Sequence, residues 1–342
     1  LRTGVIIPLT HTLLGHTVNI TILDNATLAN TSLDCISALA NTSLDCISAL
    51  GKLTVHQLTS PEQVLAHSQN AEVLITNKVV INRDTMAQLT SLKLICVSAT
   101  GTNNVDLNAA KDLGIAVTNV AGYSTPSVVQ HTFSLITNLL GNTHRYQADC
   151  QQGAWQKSEM FCRLDYSFND IQGKTLAIIG GGTLGNAVSK VAEAFGAHVI
   201  VAERKGAECR QGRTPFETAI KTADIISVHC PLNDETRDLI TLNELKMMKP
   251  TALIINTARG GIINEADLAQ ALKTNVIAGA GVDVLTKEPA EHNNPLANYT
   301  GDNLLLTPHI AWASTESIVR LVKEVSLNIA AFSQQESRNR LV

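Results

Sequence analysis

Apolar residues along this chain arrive in two alternating patterns. Short runs that are apolar on successive positions, such as 73–76, 94–98 and 225–229, are followed by stretches with apolar residues three and four apart. A strand covered by helices on both faces has no polar face to keep, so this alternation predicts βα units around parallel sheets. Two sets of strands are expected, the first at 20–23, 53–58, 73–76, 94–98 and 116–119. The second lies at 175–180, 198–203, 225–229, 252–257, 279–284 and 304–307. Between the sets, 124–146 reads as one long helix opened by Ser-Thr-Pro, with Pro126 placed where a helix start tolerates it. A last helix, 315–332, follows the final strand and is expected to fold back on the first unit.

One stretch departs from that rhythm. Residues 29–39, ANTSLDCISAL, recur unchanged at 40–50. A period of eleven equals three helical turns at about 3.67 residues each, and Leu33, Ile36 and Leu39 continue in register as Leu44, Ile47 and Leu50. The copy would lengthen a helix without turning its apolar side to water, although Asn41, Thr42 and Ser43 are poor formers in mid-helix. Two copies are too few for a repeat array, so the simpler reading is a duplicated stretch of gene without a function of its own.

Composition narrows the function classes. At about 150 residues per domain, 342 residues give two domains. A chain that is 44% hydrophobic and 16% charged buries enough apolar surface to exclude global disorder. Twenty-six basic against thirty acidic side chains leave a net charge of -4, with no overall cationic field for nucleic acid. No run reaches the ~18 apolar residues of a membrane span. Seven cysteines without a CxxC pair suit neither a disulfide framework nor a zinc knuckle, which points to a reducing, cytoplasmic compartment. The ten histidines lack ligand-spaced neighbours, so no metal is expected. The opening segment makes a poor signal peptide, since Pro8 breaks its apolar run and no charged stretch precedes it.

The sharpest motif is GGGTLG. Gly180, Gly182 and Gly185 stand in GxGxxG spacing directly after a predicted buried strand, with Thr183 and Leu184 opening the next helix. The first glycine permits a tight turn, the second lets a pyrophosphate approach the backbone, and the third lets strand and helix pack closely, with the helix N-terminus facing the anion. Glu203 ends the next strand, eighteen residues beyond Gly185, where a carboxylate can accept from both ribose hydroxyls and repel a 2′-phosphate. This favours NAD(H), while Arg204 and Lys205, next in sequence, offer charges that would admit NADP.

In a doubly wound sheet ligands gather at the carboxyl ends of the strands. Three chemically apt residues fall there: Arg259 in INTARGG, Glu288 in VDVLTKEP and His309 in TPHIAWAS. A guanidinium can fork onto a carboxylate or polarise a carbonyl oxygen. An imidazole can give or take a proton near neutral pH, and a neighbouring carboxylate favours its charged form. Together they predict carbonyl reduction, with His309 as acid, Glu288 as its partner and Arg259 on the substrate.

The ordered motifs VSATGTNNVDL, GGGTLG, ADIISVHCPL with NDETRDLI, INTARGG, VDVLTKEP and TPHIAWAS resemble the signatures of D-isomer-specific 2-hydroxyacid dehydrogenases, nearest the glycerate dehydrogenase (hydroxypyruvate reductase) branch. The resemblance runs from about residue 19 to 342. It implies two doubly wound α/β domains: a Rossmann coenzyme domain, 119–309, and a flavodoxin-like substrate domain from 1–118 and 310–342, with a cleft between them. It implies reduction of a small 2-keto acid, hydroxypyruvate or glyoxylate, to the D-2-hydroxy acid and the reverse, in a homodimer built on the coenzyme domain. Substrate contacts are then expected at Asn77, Lys78, Thr100, Gly101, Arg259 and Trp312. Pro231, Thr236, Thr257 and Ala258 would line the cofactor groove, and Asp283 would meet the nicotinamide carboxamide. Relatives that oxidise formate carry Gln where Glu288 stands, which argues against that activity. Two other readings stay open at this point: an NAD-sensing, corepressor-like binding protein and a catalytically silent paralogue.

Overall fold

A computed structural model describes residues 17–28 and 43–342. The opening segment up to residue 16, the first copy of the eleven-residue repeat and the first residues of the second lie outside the described residues. All eleven expected strands form, most of them one or two residues shorter at the carboxyl end than read from the sequence. They make two separate sheets in which every pairing is parallel.

The first sheet holds β1 (Asn19–Ile22), β2 (Lys52–Val55), β3 (Val73–Thr76), β4 (Leu94–Val97) and β5 (Ala116–Thr118), in the order β2-β1-β3-β4-β5. Strands β3 and β4 are buried at every position, as their unbroken apolar runs require. Leu74, Ile95, Val97 and Val117 pack with Ala109, Ala110 and Met86 from neighbouring helices. The described part of the second repeat copy contributes a one-turn helix, Asp45–Ser48, whose Ile47 is fully buried.

The helix Thr315–Ser333 belongs to this unit, which unites the chain up to Ser124 with Ala313–Val342. Ser314 caps it by accepting from the Ser317 amide. Its apolar stripe, Leu321, Val322, Val325 and Ile329, is buried. Asn328 donates to the Asn119 carbonyl at 3.1 Å and Arg320 to the Tyr123 carbonyl at 2.9 Å.

The second unit, Thr125–Trp312, is built on β6 (Thr175–Ile179), β7 (His198–Ala202), β8 (Ile225–Val228), β9 (Leu253–Asn256), β10 (Gly279–Val282) and β11 (Leu304–Leu306). Their order is β7-β6-β8-β9-β10-β11. Alternate residues serve opposite faces: Leu176 and Ile178 pack with Leu135, Ile136 and Val188, while Ala177 and Ile179 pack with Phe216, Ile220 and Leu245. The chain leaves β6 in one direction to reach β7 and returns to β8 on the other side. A ligand crevice is expected where these directions diverge, at the carboxyl ends of β6 and β8.

One expectation needs correction. The helix foreseen over 124–146 is two helices, Thr125–Gly141 and Thr143–Gln151. Asn142 between them takes a left-handed φ of 49°, which Asn tolerates better than most residues, and its amide donates to the Ser167 carbonyl at 2.7 Å. The two compact units divide after Ser124 and after Trp312. Among the described residues no helix is long and apolar enough to cross a membrane.

Candidate active site

The glycine-rich turn lies at the divergence point of the second sheet. Gly180 has φ 104°, and a Cβ there would stand 2.5 Å from the Cys230 amide nitrogen at the end of β8. A Cβ on Gly185 would sit 2.2 Å from the Gly180 carbonyl oxygen, so the helix Thr183–Ala194 can approach β6 only over glycine. Around Gly182 nothing lies within 4 Å of such an atom, and Gly182 caps that helix without a side-chain bond. The first-turn amides at Thr183 and Leu184 are therefore open to an anion. Two crowded glycines and one open one fit the pyrophosphate of a dinucleotide.

Glu203 and its neighbours differ from the free carboxylate expected. It is 3% exposed, and Arg210 grips it through Nε at 2.7 Å and Nη2 at 2.6 Å. That guanidinium, with the Arg204 amide, pushes the Glu203 carboxyl down to about 2. Lys205 is turned to Glu244 at 2.8 Å. Pro231 and Thr236 share one turn, in which the Thr236 hydroxyl donates to the Pro231 carbonyl at 2.6 Å. Burial pushes the adjacent Cys230 thiol up to about 11 and holds His229 down at about 4, so neither is charged near neutral pH.

At the carboxyl ends of β9 to β11, three segments are fastened together. Gly260 abuts the Leu285–Thr286 backbone so closely that a Cβ would stand 1.9 Å from the Leu285 carbonyl carbon. This seats the Arg259 turn against the loop that carries Glu288. Glu288 accepts from the Leu285 amide at 2.8 Å through Oε1 and meets His309 Nδ1 at 2.6 Å through Oε2. The pairing of Nδ1 leaves Nε2 as the imidazole atom for proton transfer. Arg259 is exposed and donates to the Ala258 carbonyl at 2.7 Å; among the described residues no carboxylate pairs with it. Asn256 clamps the turn, donating to the Arg259 carbonyl and accepting from the Ala258 amide. The buried Thr257 hydroxyl meets Thr132 at 3.0 Å.

His309 itself has φ 55°, a left-handed conformation unusual for a non-glycine residue. Asp283 holds it there. The Asp283 carboxylate accepts from the Thr307 hydroxyl at 2.6 Å and from the Ile310 and Ala311 amides at 2.9 Å each, and its carbonyl accepts from the His309 amide at 2.8 Å. Burial would raise this carboxyl, but the bonds from His131, Thr307 and the two amides outweigh it and hold it below the ordinary value. Asp283 is 1% exposed, so it is sealed beneath the His309 loop. Trp312, three residues on, is half-buried.

In the first unit, Asn77 and Lys78 follow β3, and their amides donate to Asp24 at the end of β1, at 3.0 and 2.7 Å. Asn77 is buried and the Lys78 side chain is exposed. Thr100 and Gly101 follow β4; the Thr100 hydroxyl donates to the Val120 carbonyl, and its own carbonyl accepts from Asn119. Sequence reasoning missed Asp24, His131, Arg210 and Arg213. Asp24 carried a readable signal, an acid at the end of the first strand just as Glu203 ends β7. The others act from loops and helices whose partners are set only by the tertiary fold.

The sequence profile of the D-isomer specific 2-hydroxyacid dehydrogenase NAD-binding domain matches residues 133–311. A Haemophilus influenzae chain named provisionally as a 2-hydroxyacid dehydrogenase is 46% identical over 285 residues, which span 82% of this chain and 90% of that one. The glycerate dehydrogenase of Methylorubrum extorquens is 41% identical over 280 residues, 82% of this chain and 88% of its own. Among solved structures, an acyclic imino acid reductase in complex with NADPH and D-Arg superposes with a TM-score of 0.79 at 28% identity, covering 95% of this chain and all of that one. A glycine cradle, a paired imidazole and an unpaired guanidinium thus sit in a chain that belongs to the D-isomer specific 2-hydroxyacid dehydrogenases.

Proposed function

We propose that this chain reduces a small 2-keto acid, hydroxypyruvate or glyoxylate, to the D-2-hydroxy acid and catalyses the reverse. The observation that carries the reading is the 2.6 Å pair of His309 Nδ1 and Glu288 in the same unit as an Arg259 that no carboxylate among the described residues pairs. A bound nicotinamide supplies the hydride to the carbonyl carbon. Arg259 holds the keto acid through its carboxylate or carbonyl oxygen, a bidentate role its planar fork suits. His309 donates the proton from Nε2 to that oxygen, and Glu288 steadies the imidazolium during the transfer. In oxidation His309 takes the proton back. The names of the relatives, glycerate dehydrogenase among them, support this substrate class.

For the first unit we assign substrate contacts to Asn77, Lys78, Thr100 and Gly101, at the carboxyl ends of β3 and β4 near the β1/β3 reversal of strand order. In the second unit Thr183, Leu184, Pro231, Thr236, Thr257 and Ala258 are assigned to the coenzyme groove, and Trp312 to the substrate side. Six free cysteines among the described residues support a reducing cytoplasm. An exposed apolar segment at 155–168 supports a homodimer built on the second unit.

The test is the fall of nicotinamide absorbance with hydroxypyruvate, glyoxylate, pyruvate and 3-phosphohydroxypyruvate, each run with both coenzymes. Turnover is expected with hydroxypyruvate or glyoxylate. No turnover with any acid, while the coenzyme still binds, would overturn the reading in favour of a dinucleotide-sensing role.

A further inference from the structure

The end of β7 holds more positive charge than a ribose needs, arranged around a carboxylate that is already fully used. An ionised carboxylate offers about four lone-pair sites. At Glu203 all four are taken: Oε1 by the Arg204 amide at 2.9 Å and Arg210 Nη2 at 2.6 Å, Oε2 by the Arg210 amide at 3.2 Å and Arg210 Nε at 2.7 Å. No acceptor is left for the two hydroxyls of an unphosphorylated ribose. To bind them, Glu203 would have to release a bidentate, charge-assisted pair, the strongest kind of side-chain hydrogen bond.

The arginines, by contrast, keep N–H donors for a ligand. Arg210 spends two of its five N–H groups on Glu203, and its side chain is 61% exposed, so the others face solvent. Arg213 lies over the glycine-rich turn: a Cβ on Gly181 would stand 2.5 Å from its Nη1 and 2.9 Å from its Nη2. Among the described residues no carboxylate pairs with the Arg213 or Arg204 side chain. Lys205 is neutralised by Glu244. Segment 203–213 thus carries Arg204, Lys205, Arg210 and Arg213 against Glu203 and Glu208.

We propose that this chain binds the 2′-phosphate of NADPH, with Arg210 and Arg213 as its ligands and Glu203 as the positioning residue that holds Arg210 toward it. The acid that would reject a 2′-phosphate as a free carboxylate becomes, once paired, the anchor of the group that accepts one. The proposal rests on the dinucleotide reading above and deepens it.

Equilibrium fluorescence titration with NADH and NADPH tests it without turnover, supported by competition between 2′,5′-ADP and 5′-AMP. The wild-type chain is expected to bind NADPH at least as tightly as NADH, and 2′,5′-ADP to compete better than 5′-AMP. Arg210→Gln should weaken NADPH about tenfold or more, the worth of one charge-assisted bond, while NADH binding holds or improves as Glu203 is released. Arg213→Gln keeps the Glu203–Arg210 pair and should also weaken NADPH selectively, so the test survives if the first variant fails to fold. Wild-type preference for NADH by tenfold, or equal loss of both coenzymes in both variants, would overturn the proposal. If neither coenzyme nor either adenosine phosphate binds the wild type, the dinucleotide reading falls and takes this proposal with it.

Discussion

His309 is held in a backbone conformation that costs on the order of 1 kcal/mol or more for a non-glycine residue. The cost is met by Asp283, whose carboxylate gathers the Thr307 hydroxyl and the Ile310 and Ala311 amides on one buried anchor. Two substitutions separate the proposed proton carrier from its support. His309→Gln removes the imidazole that meets Glu288, so reduction should slow by about 10² to 10⁴ and lose the pH-rate limb that reports the acid. Asp283→Asn offers one acceptor oxygen where the loop needs two, and should cost about 1–3 kcal/mol of stability through an amide left unpaired. Its turnover should fall while that pH-rate limb persists, because the titrating group is still present. A limb lost in Asp283→Asn as well, measured with the same acid and coenzyme, would show that Asp283 does more than position the loop.

Secondary-structure elements meet at glycines, and the three motif glycines do different work. Gly185 lies where a Cβ would strike the Gly180 carbonyl at 2.2 Å and Ile178 Cγ2 at 2.8 Å, so Gly185→Ala must separate the helix Thr183–Ala194 from β6. Gly182 faces open space. We expect Gly185→Ala to lower the melting temperature and weaken coenzyme binding together, whereas Gly182→Ala should leave melting unchanged and weaken only binding. Thermal melts with and without coenzyme decide this. If Gly182→Ala were as unstable as Gly185→Ala, the open side of the turn would not be the ligand side. The glycines were legible in the sequence because a turn, a close approach and an anion each demand the same small residue at fixed spacing. The strands were legible because both faces are buried. The break at Asn142 was not, since it depends on Ser167, twenty-five residues away, and helical periodicity alone carries no sign of it.

At the scale of the whole molecule, each unit has a core of its own, and one connection carries several large apolar side chains that stay exposed. Arg259, Glu288 and His309 stood out in the sequence because each follows a strand, but the grip of Arg210 on Glu203 was not legible, since nothing in a linear motif tells a free carboxylate from one already claimed. The same holds for the apolar surface. Trp155, Met160, Phe161, Leu164 and Phe168 are 54%, 59%, 91%, 78% and 74% exposed, all within the connection between the helix Thr143–Gln151 and β6. That segment is held to a defined shape, with the Trp155 indole donating to the Phe161 carbonyl at 3.0 Å and Arg163 binding the Ala154 carbonyl and Asp149. It surrounds a groove of about 390 Å³ whose lining mixes Ala154, Met160 and Leu164 with Lys157, Arg163 and Asp165. We propose that these five exposed apolar side chains, costly to leave in water, are covered by a second copy of the chain. A two-fold contact with the same patch of a second copy buries it twice over with one set of residues. Light scattering coupled to size exclusion should therefore give about twice the chain mass for the wild type. Phe161→Glu with Leu164→Glu should shift it to one chain while leaving coenzyme affinity within about twofold, because neither residue lies on the glycine turn or the Arg259, Glu288 and His309 loops. A wild type that runs as a single chain at micromolar concentration, or a double variant that stays paired, would remove this segment as the dimer contact.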